Sequence, residues 1–85
     1  MTIISPSTTS VYTSDATITI TGTASDNVGV TSVTWASLIT SGAATGTTNW
    51  STGPIPLLEG MNNIVVYAYD AAGNSSWRSV SVTRQ

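Results

Sequence analysis

Residues 60–74 have the pattern of one long strand enclosed by two turns. The run begins at Gly60 and ends in the polar segment Asp-Ala-Ala-Gly-Asn. Between the turns one face is aliphatic and the other carries two tyrosines: Ile64, Val66 and Ala68 against Val65, Tyr67 and Tyr69. Because a strand that is apolar on both faces needs cover on both, this stretch predicts a strand in the middle of a sheet.

The rest of the composition favours an all-β fold. Serine and threonine make up about a third of the 85 residues, and no long run of helix-forming residues occurs. A chain of this length forms one domain that buries roughly 60–65% of the surface of its unfolded state. We therefore expect a single domain over residues 1–85 that is excised from a larger multidomain protein.

Charge and residue content exclude several classes of function. The cations are Arg78 and Arg84 alone and the net charge is −2, which argues against nucleic acid and against insertion into or attraction to a membrane. Cysteine, histidine and lysine are absent, so disulfides, thiolate metal sites and the usual catalytic bases are excluded. No run approaches the ~20 apolar residues of a membrane span, and none has a signal-peptide pattern. We expect a protein that is not an enzyme and has no cofactor.

Two further segments have clear strand patterns. Residues 15–23 alternate threonines with apolar or small residues that are predicted to face inward: Ala16, Ile18, Ile20 and Gly22. Residues 30–38 form the next predicted strand, with Thr31 and Val33 on one face. Trp35 shares that face in mid-strand, which predicts that it is the centre of the core.

Proline limits the first segments of the chain. Pro6 ends a short strand over residues 2–5, and this strand is expected at a sheet edge because proline lacks a backbone donor. Residues 7–14 are predicted to be a polar connector. Tyr12 within it is expected to fold back over one end of the core.

The middle of the chain combines a loop with short strands. Residues 39–48 are rich in glycine, alanine and threonine, which predicts a loop with at most a weak strand. Trp50 follows on a short strand and is expected in the core. Ile55 and Leu57 share a face but alternate with prolines, so this segment is an edge strand.

The pairing of the last two strands follows from keeping their aliphatic side chains on one side. The pairs that do so are Val66 with Val80 and Ile64 with Val82. This register leaves residues 71–75 as the loop, which is within the usual range for a hairpin. It also places Tyr69 opposite Trp77, with both rings facing away from the core.

About seven antiparallel strands with regular turns and a central tryptophan predict an immunoglobulin-like Greek-key β-sandwich. The predicted core combines the inward positions of all these strands: Ile18, Ile20, Val33, Trp35, Ile55, Leu57, Ile64, Val66, Ala68, Val80 and Val82.

A set of motifs covers nearly the whole chain. They are I-S-P at residues 4–6, G-T-A-S-D-N-V-G-V at 22–30, V-T-W at 33–35, L-L-E-G-M-N at 57–62 and D-A-A-G-N at 70–74. This set resembles the bacterial immunoglobulin-like domains, with fibronectin type III-like modules as the near neighbour. That family occurs as repeated modules in secreted and surface proteins, such as adhesins and polysaccharide-degrading enzymes. The resemblance therefore implies an extracellular or cell-surface location and neighbouring domains as partners.

One end of the predicted sandwich gathers four oxygen-bearing side chains: Asp26, Asn27, Asp70 and Asn74. Hard oxygen ligands suit calcium, so a weak calcium site is one interpretation. Two carboxylates are few for a tight calcium site. The favoured alternative is that Asp26 and Asp70 accept hydrogen bonds from backbone amides and hold tight turns. We expect no metal requirement.

The outer face of the predicted hairpin carries Tyr67, Tyr69 and Trp77. Exposed aromatic rings can stack on sugars or anchor a protein partner, whereas the simpler interpretation is that Trp77 only covers Tyr69 across the strands. Two functions follow. The first is a non-catalytic spacer or adhesion-type interaction module. The alternative is a carbohydrate-binding accessory module of a polysaccharide-degrading enzyme.

Overall fold

The computed structural model of the protein describes residues 2–6, 8–24 and 29–85. Within these ranges the chain forms ten strands and no helix. The strands are β1 (Thr2–Ser5), β2 (Ser10–Thr13), β3 (Thr17–Ile18), β4 (Thr21–Thr23), β5 (Val30–Ala36), β6 (Ser41–Ala43), β7 (Asn49–Ser51), β8 (Ile55–Pro56), β9 (Gly60–Asp70) and β10 (Ser75–Arg84). No described segment is a helix that could span a membrane.

The strands form two layers around one core. One layer is a five-stranded sheet in the order β2-β10-β9-β5-β6, and the other combines the sheet β1-β4-β7 with the pair β3-β8. All pairings are antiparallel except that of β2 with β10, which is parallel. The predicted all-β, immunoglobulin-like sandwich is confirmed. The ten segments exceed the expected seven because residues 15–23 are divided between β3 and β4, and because β2 and β6 lie where a connector and a loop were predicted.

The long strand predicted around residues 60–70 is β9, and it lies in the centre of the larger sheet. Its inward residues Ile64, Val66 and Ala68 are buried, as the alternation predicted. β10 covers one edge of β9 and β5 covers the other, so the backbone of β9 has ladder partners on both sides. A strand with partners on both edges and apolar side chains inward supplies the main wall of the core.

The strand predicted over residues 15–23 is divided into β3 and β4. At the break, the Ile20 N–H donates to Thr52 Oγ1 at 3.0 Å, and the Thr52 N–H donates to the Ile20 carbonyl at 2.9 Å. A threonine hydroxyl thus takes the place of one ladder acceptor. Ile18, which was predicted to be a core residue, is half-buried and packs against the core from β3, whose described ladder partner is β8.

β5 matches the predicted third strand except at its start. A register shift between Val30 and Ser32 places Thr31 in a bulge, where it is exposed. The Thr31 hydroxyl donates to the Tyr69 carbonyl at 3.2 Å. The prediction that Thr31 shares a face with Val33 in regular alternation was therefore wrong, since a bulge adds one residue and breaks the alternation.

The predicted connector over residues 7–14 contains a strand. Its residues Ser10–Thr13 form β2, which pairs in parallel with the end of β10. Tyr12 is 69% exposed, so the prediction that it covers the core was wrong. The polar sequence gave no sign of this strand, because its stability comes from ladder bonds to a distant strand and not from its own apolar face.

The β9–β10 hairpin differs by two residues from the predicted register. Val80 lies opposite Ile64, and Trp77 lies opposite Tyr67 instead of Tyr69. The observed turn is shorter because Asp70 closes it. Both registers keep the same side chains inward, since a shift of two residues preserves the alternation of faces.

The core includes the other predicted residues and adds more. Ile20, Val33, Trp35, Ile55, Leu57, Ile64, Val66, Ala68, Val80 and Val82 are buried, as is Trp50. Ala24 is an apolar addition, because it continues the inward alternation one residue beyond the predicted end of the strand at residue 23. Trp35 lies opposite Gly42, and Trp50 lies opposite Gly22. A methyl group at either glycine would contact the indole ring, so each ring occupies space left by a missing side chain.

Candidate functional site

The outward side of the five-stranded sheet carries the predicted aromatic residues, and we name Tyr67, Tyr69 and Trp77 the outer aromatic face. Trp77 is 58% exposed and Tyr69 is 36% exposed, while Tyr67 is half-buried. The two tyrosine rings are nearly parallel, with an interplanar angle of 24° and centroids 6.4 Å apart. The three rings therefore form an accessible surface, as the alternation of faces predicted.

Strand register determines which residues surround these rings. Tyr67 has Trp77 on one side and Thr34 on the other. Tyr69 has Ser75 on one side and Ser32 on the other. Since residues directly opposite each other share a face, the aromatic rings lie beside hydroxyl-bearing side chains. The predicted contact of Trp77 with Tyr69 is replaced by the pair Trp77 and Tyr67.

The outer aromatic face lies on a surface without charge. Of the residues that the structure describes in β5, β9 and β10, none at an outward position is charged. The charged residues of β9 and β10 occupy the alternate, inward register: Asp70, Arg78 and Arg84. The Arg78 guanidinium donates to the Trp77 carbonyl at 2.9 Å, so it reaches the backbone beside Trp77. An uncharged, aromatic and hydroxyl-rich surface suits an uncharged partner.

The Asp70 carboxylate organises the turn after β9. Its Oδ1 accepts hydrogen bonds from the backbone N–H of Ala72 at 3.0 Å and of Asn74 at 2.8 Å. Its Oδ2 accepts one from Asn74 Nδ2 at 3.3 Å. The Asp70 N–H donates to the Asn74 carbonyl at 3.0 Å, which closes the hairpin. The turn-holding role that the sequence favoured for Asp70 is therefore present.

The calcium interpretation stays a prediction. Asp26 and Asn27, two of its four ligands, lie outside the described residues. In the part of the chain that the structure describes, no three acidic, histidine or cysteine side chains come together. Asp70 and Asn74 already bond to each other and to the turn.

Asn62 is a buried polar residue that the sequence reasoning missed. It is 2% exposed, and its amide bonds to four backbone groups of the loop and of β10: Leu58 N–H at 2.9 Å, Leu58 O at 2.9 Å, Gly60 O at 3.1 Å and Val82 O at 3.2 Å. Both Oδ1 and Nδ2 of the amide are bonded to backbone groups, which indicates a structural role. Its position after the glycine turn was the available signal, since asparagine commonly bonds to nearby backbone.

A second feature that the sequence did not predict is a groove along the first half of β10. It has a volume of about 580 Å³ and is lined by Thr9 and residues 75–79. The predicted register assigned residues 71–75 to the hairpin loop, so Ser75 was not expected in the strand. The groove is open and contains serine hydroxyls, the Trp77 ring and Arg78 as its polar and aromatic groups.

Comparison with known proteins gives one match. A family model described as a bacterial Ig domain matches residues 1–82 of the chain. A search of curated proteins found no match. The matched residues include every strand except the last part of β10.

Proposed function

The chain belongs to the bacterial immunoglobulin-like domain family, and from this membership we propose that it is a spacer or adhesion-type interaction module of a secreted or cell-surface protein. Domains of this family are generally non-catalytic structural modules. The secreted or surface location follows from the resemblance to repeated extracellular modules. Neighbouring domains of the same chain are the partners that such a module meets first.

The observation that carries this proposal is the outer aromatic face. Trp77 is more than half exposed on a sheet face where no described outward position of β5, β9 or β10 is charged. Tryptophan and tyrosine are the residues that most often dominate the energy of protein contacts. The core of the sandwich does not use these rings, so they are available for a contact outside the domain.

The test compares the domain alone with the same domain in a longer segment of its parent protein. We expect the backbone and indole NMR signals of Tyr67, Tyr69 and Trp77 to shift when the neighbouring module is present. Trp77→Ala should remove the shift. Leu38→Ala is the matched control, because Leu38 is 60% exposed in the loop between β5 and β6. Shifts that avoid the outer aromatic face would contradict this role for it.

A carbohydrate-binding accessory role is the second candidate, and the ring geometry favours it. Two nearly parallel tyrosine rings beside an exposed tryptophan provide apolar ring faces, and adjacent serine and threonine hydroxyls provide hydrogen-bonding groups. The lack of charge on this face suits a neutral polysaccharide. Affinity electrophoresis in gels containing xylan, hydroxyethylcellulose or mixed-linkage β-glucan tests it. Retardation of the wild-type chain that is lost in Trp77→Ala and kept in Leu38→Ala would support this role, and equal mobility in all gels would reject it.

A further inference from the structure

The end of the five-stranded sheet where β10 finishes carries exposed apolar side chains. Thr83 lies between Tyr12 of β2 and Met61 of β9. This row faces outward, because Thr83 alternates with the buried Val82 and residues aligned across neighbouring strands share a face. Tyr12 is 69% exposed and Met61 is 63% exposed, and Leu58, in the loop before β9, is exposed as well. We name Tyr12, Leu58 and Met61 the end patch.

Hydrogen bonds fix the loop of the end patch to the end of β10. The Asn62 amide bonds to both the N–H and the carbonyl of Leu58, and Asn62 Nδ2 also donates to the Val82 carbonyl at 3.2 Å. The Arg84 guanidinium donates to the Leu57 carbonyl at 3.2 Å. Because the backbone beneath the end patch is already ordered, a partner binds there without the entropic cost of ordering it.

Two carboxylates border the end patch. Asp15 lies just beyond β2, where its Oδ2 accepts a hydrogen bond from the Thr13 hydroxyl at 3.1 Å, and Glu59 follows Leu58 in the loop. Both acidic residues are exposed. An apolar centre with a polar border is typical of a protein contact surface. The acidic border disfavours anionic lipid and suits a protein surface whose own border is neutral or basic.

The position of Gln85 indicates which partner can occupy this surface. The Gln85 N–H donates to the Thr13 carbonyl at 2.7 Å, and Thr13 follows Tyr12 directly. A module joined to Gln85 therefore starts beside the end patch. Three apolar side chains form a small contact, which is weak between separate molecules. A short linker, however, gives an attached module an effective concentration on the order of millimolar, so that even a weak contact is occupied.

We propose that the end patch is the docking surface for the module that follows in the parent chain. This proposal rests on the function proposed above, because it requires a neighbouring domain of the same chain. It assigns that domain to a surface separate from the outer aromatic face. Trp77 precedes Thr83 by six residues, which is about 20 Å along a strand. The outer aromatic face then remains available to the preceding module or to another partner.

NMR relaxation of a segment that contains this domain and the following module, joined by their natural linker, tests the proposal. We expect the two modules to share one rotational correlation time. The signals of Tyr12, Leu58 and Met61 should differ from those in the 85-residue chain alone. Met61→Ser should weaken docking about tenfold or more, because one apolar side chain is no longer buried on contact. The correlation time of each module should then fall toward its value in isolation.

The matched control is Ile4→Ser, because Ile4 is 57% exposed and lies on β1 in the other layer. It should leave the shared correlation time unchanged. Tyr12→Ser provides a second variant of the end patch if Met61→Ser does not fold, as judged by circular dichroism of the 85-residue chain.

Trp77→Ala separates this proposal from the role proposed above for the outer aromatic face. If Trp77→Ala releases the following module and Met61→Ser does not, the outer aromatic face holds that module and the docking proposal is wrong. Independent tumbling of the wild-type modules would also overturn the docking proposal, whereas a contact of the outer aromatic face with another partner would be unaffected. A parent chain with no folded module joined to Gln85 by a short linker would overturn it as well.

Discussion

Trp35 and Trp77 lie on the same five-stranded sheet but in opposite environments. Trp35 is 8% exposed and lies opposite Gly42, whereas Trp77 is 58% exposed and lies opposite Tyr67. Trp50 repeats the first arrangement in the other layer, opposite Gly22. A large indole is thus buried where the neighbouring strand offers a glycine, and it stays exposed where the neighbour is another aromatic ring.

The difference separates two uses of the same residue type. The buried tryptophans fill the space between the sheets, so their removal leaves a cavity. The exposed tryptophan contributes little to the core and remains available to a partner. Variants of each type, from the largest expected change in stability to the smallest, measure how complete this separation is.

Replacing Trp35 with alanine should have the largest effect. The side chain is buried in the centre of the core, and its loss should lower the free energy of unfolding by about 3–5 kcal/mol. That is a large share of the roughly 5–15 kcal/mol of a typical domain. Urea denaturation followed by circular dichroism measures it. A loss below about 1 kcal/mol would contradict the central position of Trp35.

Adding one methyl group at a glycine that faces a buried tryptophan should have the second largest effect on stability. A Cβ at Gly22 would meet both the Trp50 ring and the Thr2 carbonyl oxygen, so Gly22→Ala should cost about 3 kcal/mol. Gly42→Ala is the matched comparison, because the three atoms nearest to its Cβ all belong to the Trp35 ring, at 3.0–3.2 Å, and none is a backbone atom. It should cost less in the same urea denaturation experiment. A larger loss of stability in Gly42→Ala than in Gly22→Ala would show that the contacts of the added Cβ do not determine the cost of these substitutions.

Removal of the Asn62 amide should have an intermediate effect. Asn62→Ala leaves the Leu58 N–H and three backbone carbonyls without this partner, and should cost about 1–3 kcal/mol. Asn63→Ala is the control, since Asn63 is exposed on the same strand and should change stability by about 0.5 kcal/mol or less. Equal stabilities for the two variants would argue against a structural role for the Asn62 amide.

Trp77→Ala should change stability by about 1 kcal/mol or less, because the ring is exposed and lies outside the core. Urea denaturation measures the change in the free energy of unfolding. The NMR and affinity electrophoresis experiments under Proposed function measure the loss of contact. A destabilisation as large as that of Trp35→Ala would mean that the outer aromatic face is structural and not a contact surface.

Calcium should have the smallest effect. Asp70 is bonded to its own turn, and no group of three acidic side chains occurs among the described residues, so thermal melts in calcium and in chelator should coincide. The contrary result would be a rise in melting temperature of several degrees in calcium. If that rise disappears in Asp26→Asn or Asp70→Asn, the calcium site predicted as the weaker alternative is real.

Much of the molecule could be predicted from local patterns. The alternation in β9 identified the central strand, its buried face and the outward position of its tyrosines. The same reasoning placed Trp35 and Trp50 in the core and Trp77 outside it. These predictions hold because side-chain direction in a strand repeats every two residues, whatever the strand pairs with.

The tertiary structure alone decided how the strands pair. Alternation cannot distinguish two registers that differ by two residues, so the contact of Trp77 with Tyr67 depended on the short turn that Asp70 closes. β2 carries no strong pattern of its own, and it forms because β10 offers an edge. The pairing of β2 with β10 therefore had no signal in the sequence, because backbone hydrogen bonds depend on which distant segment lies alongside and side-chain types do not encode it.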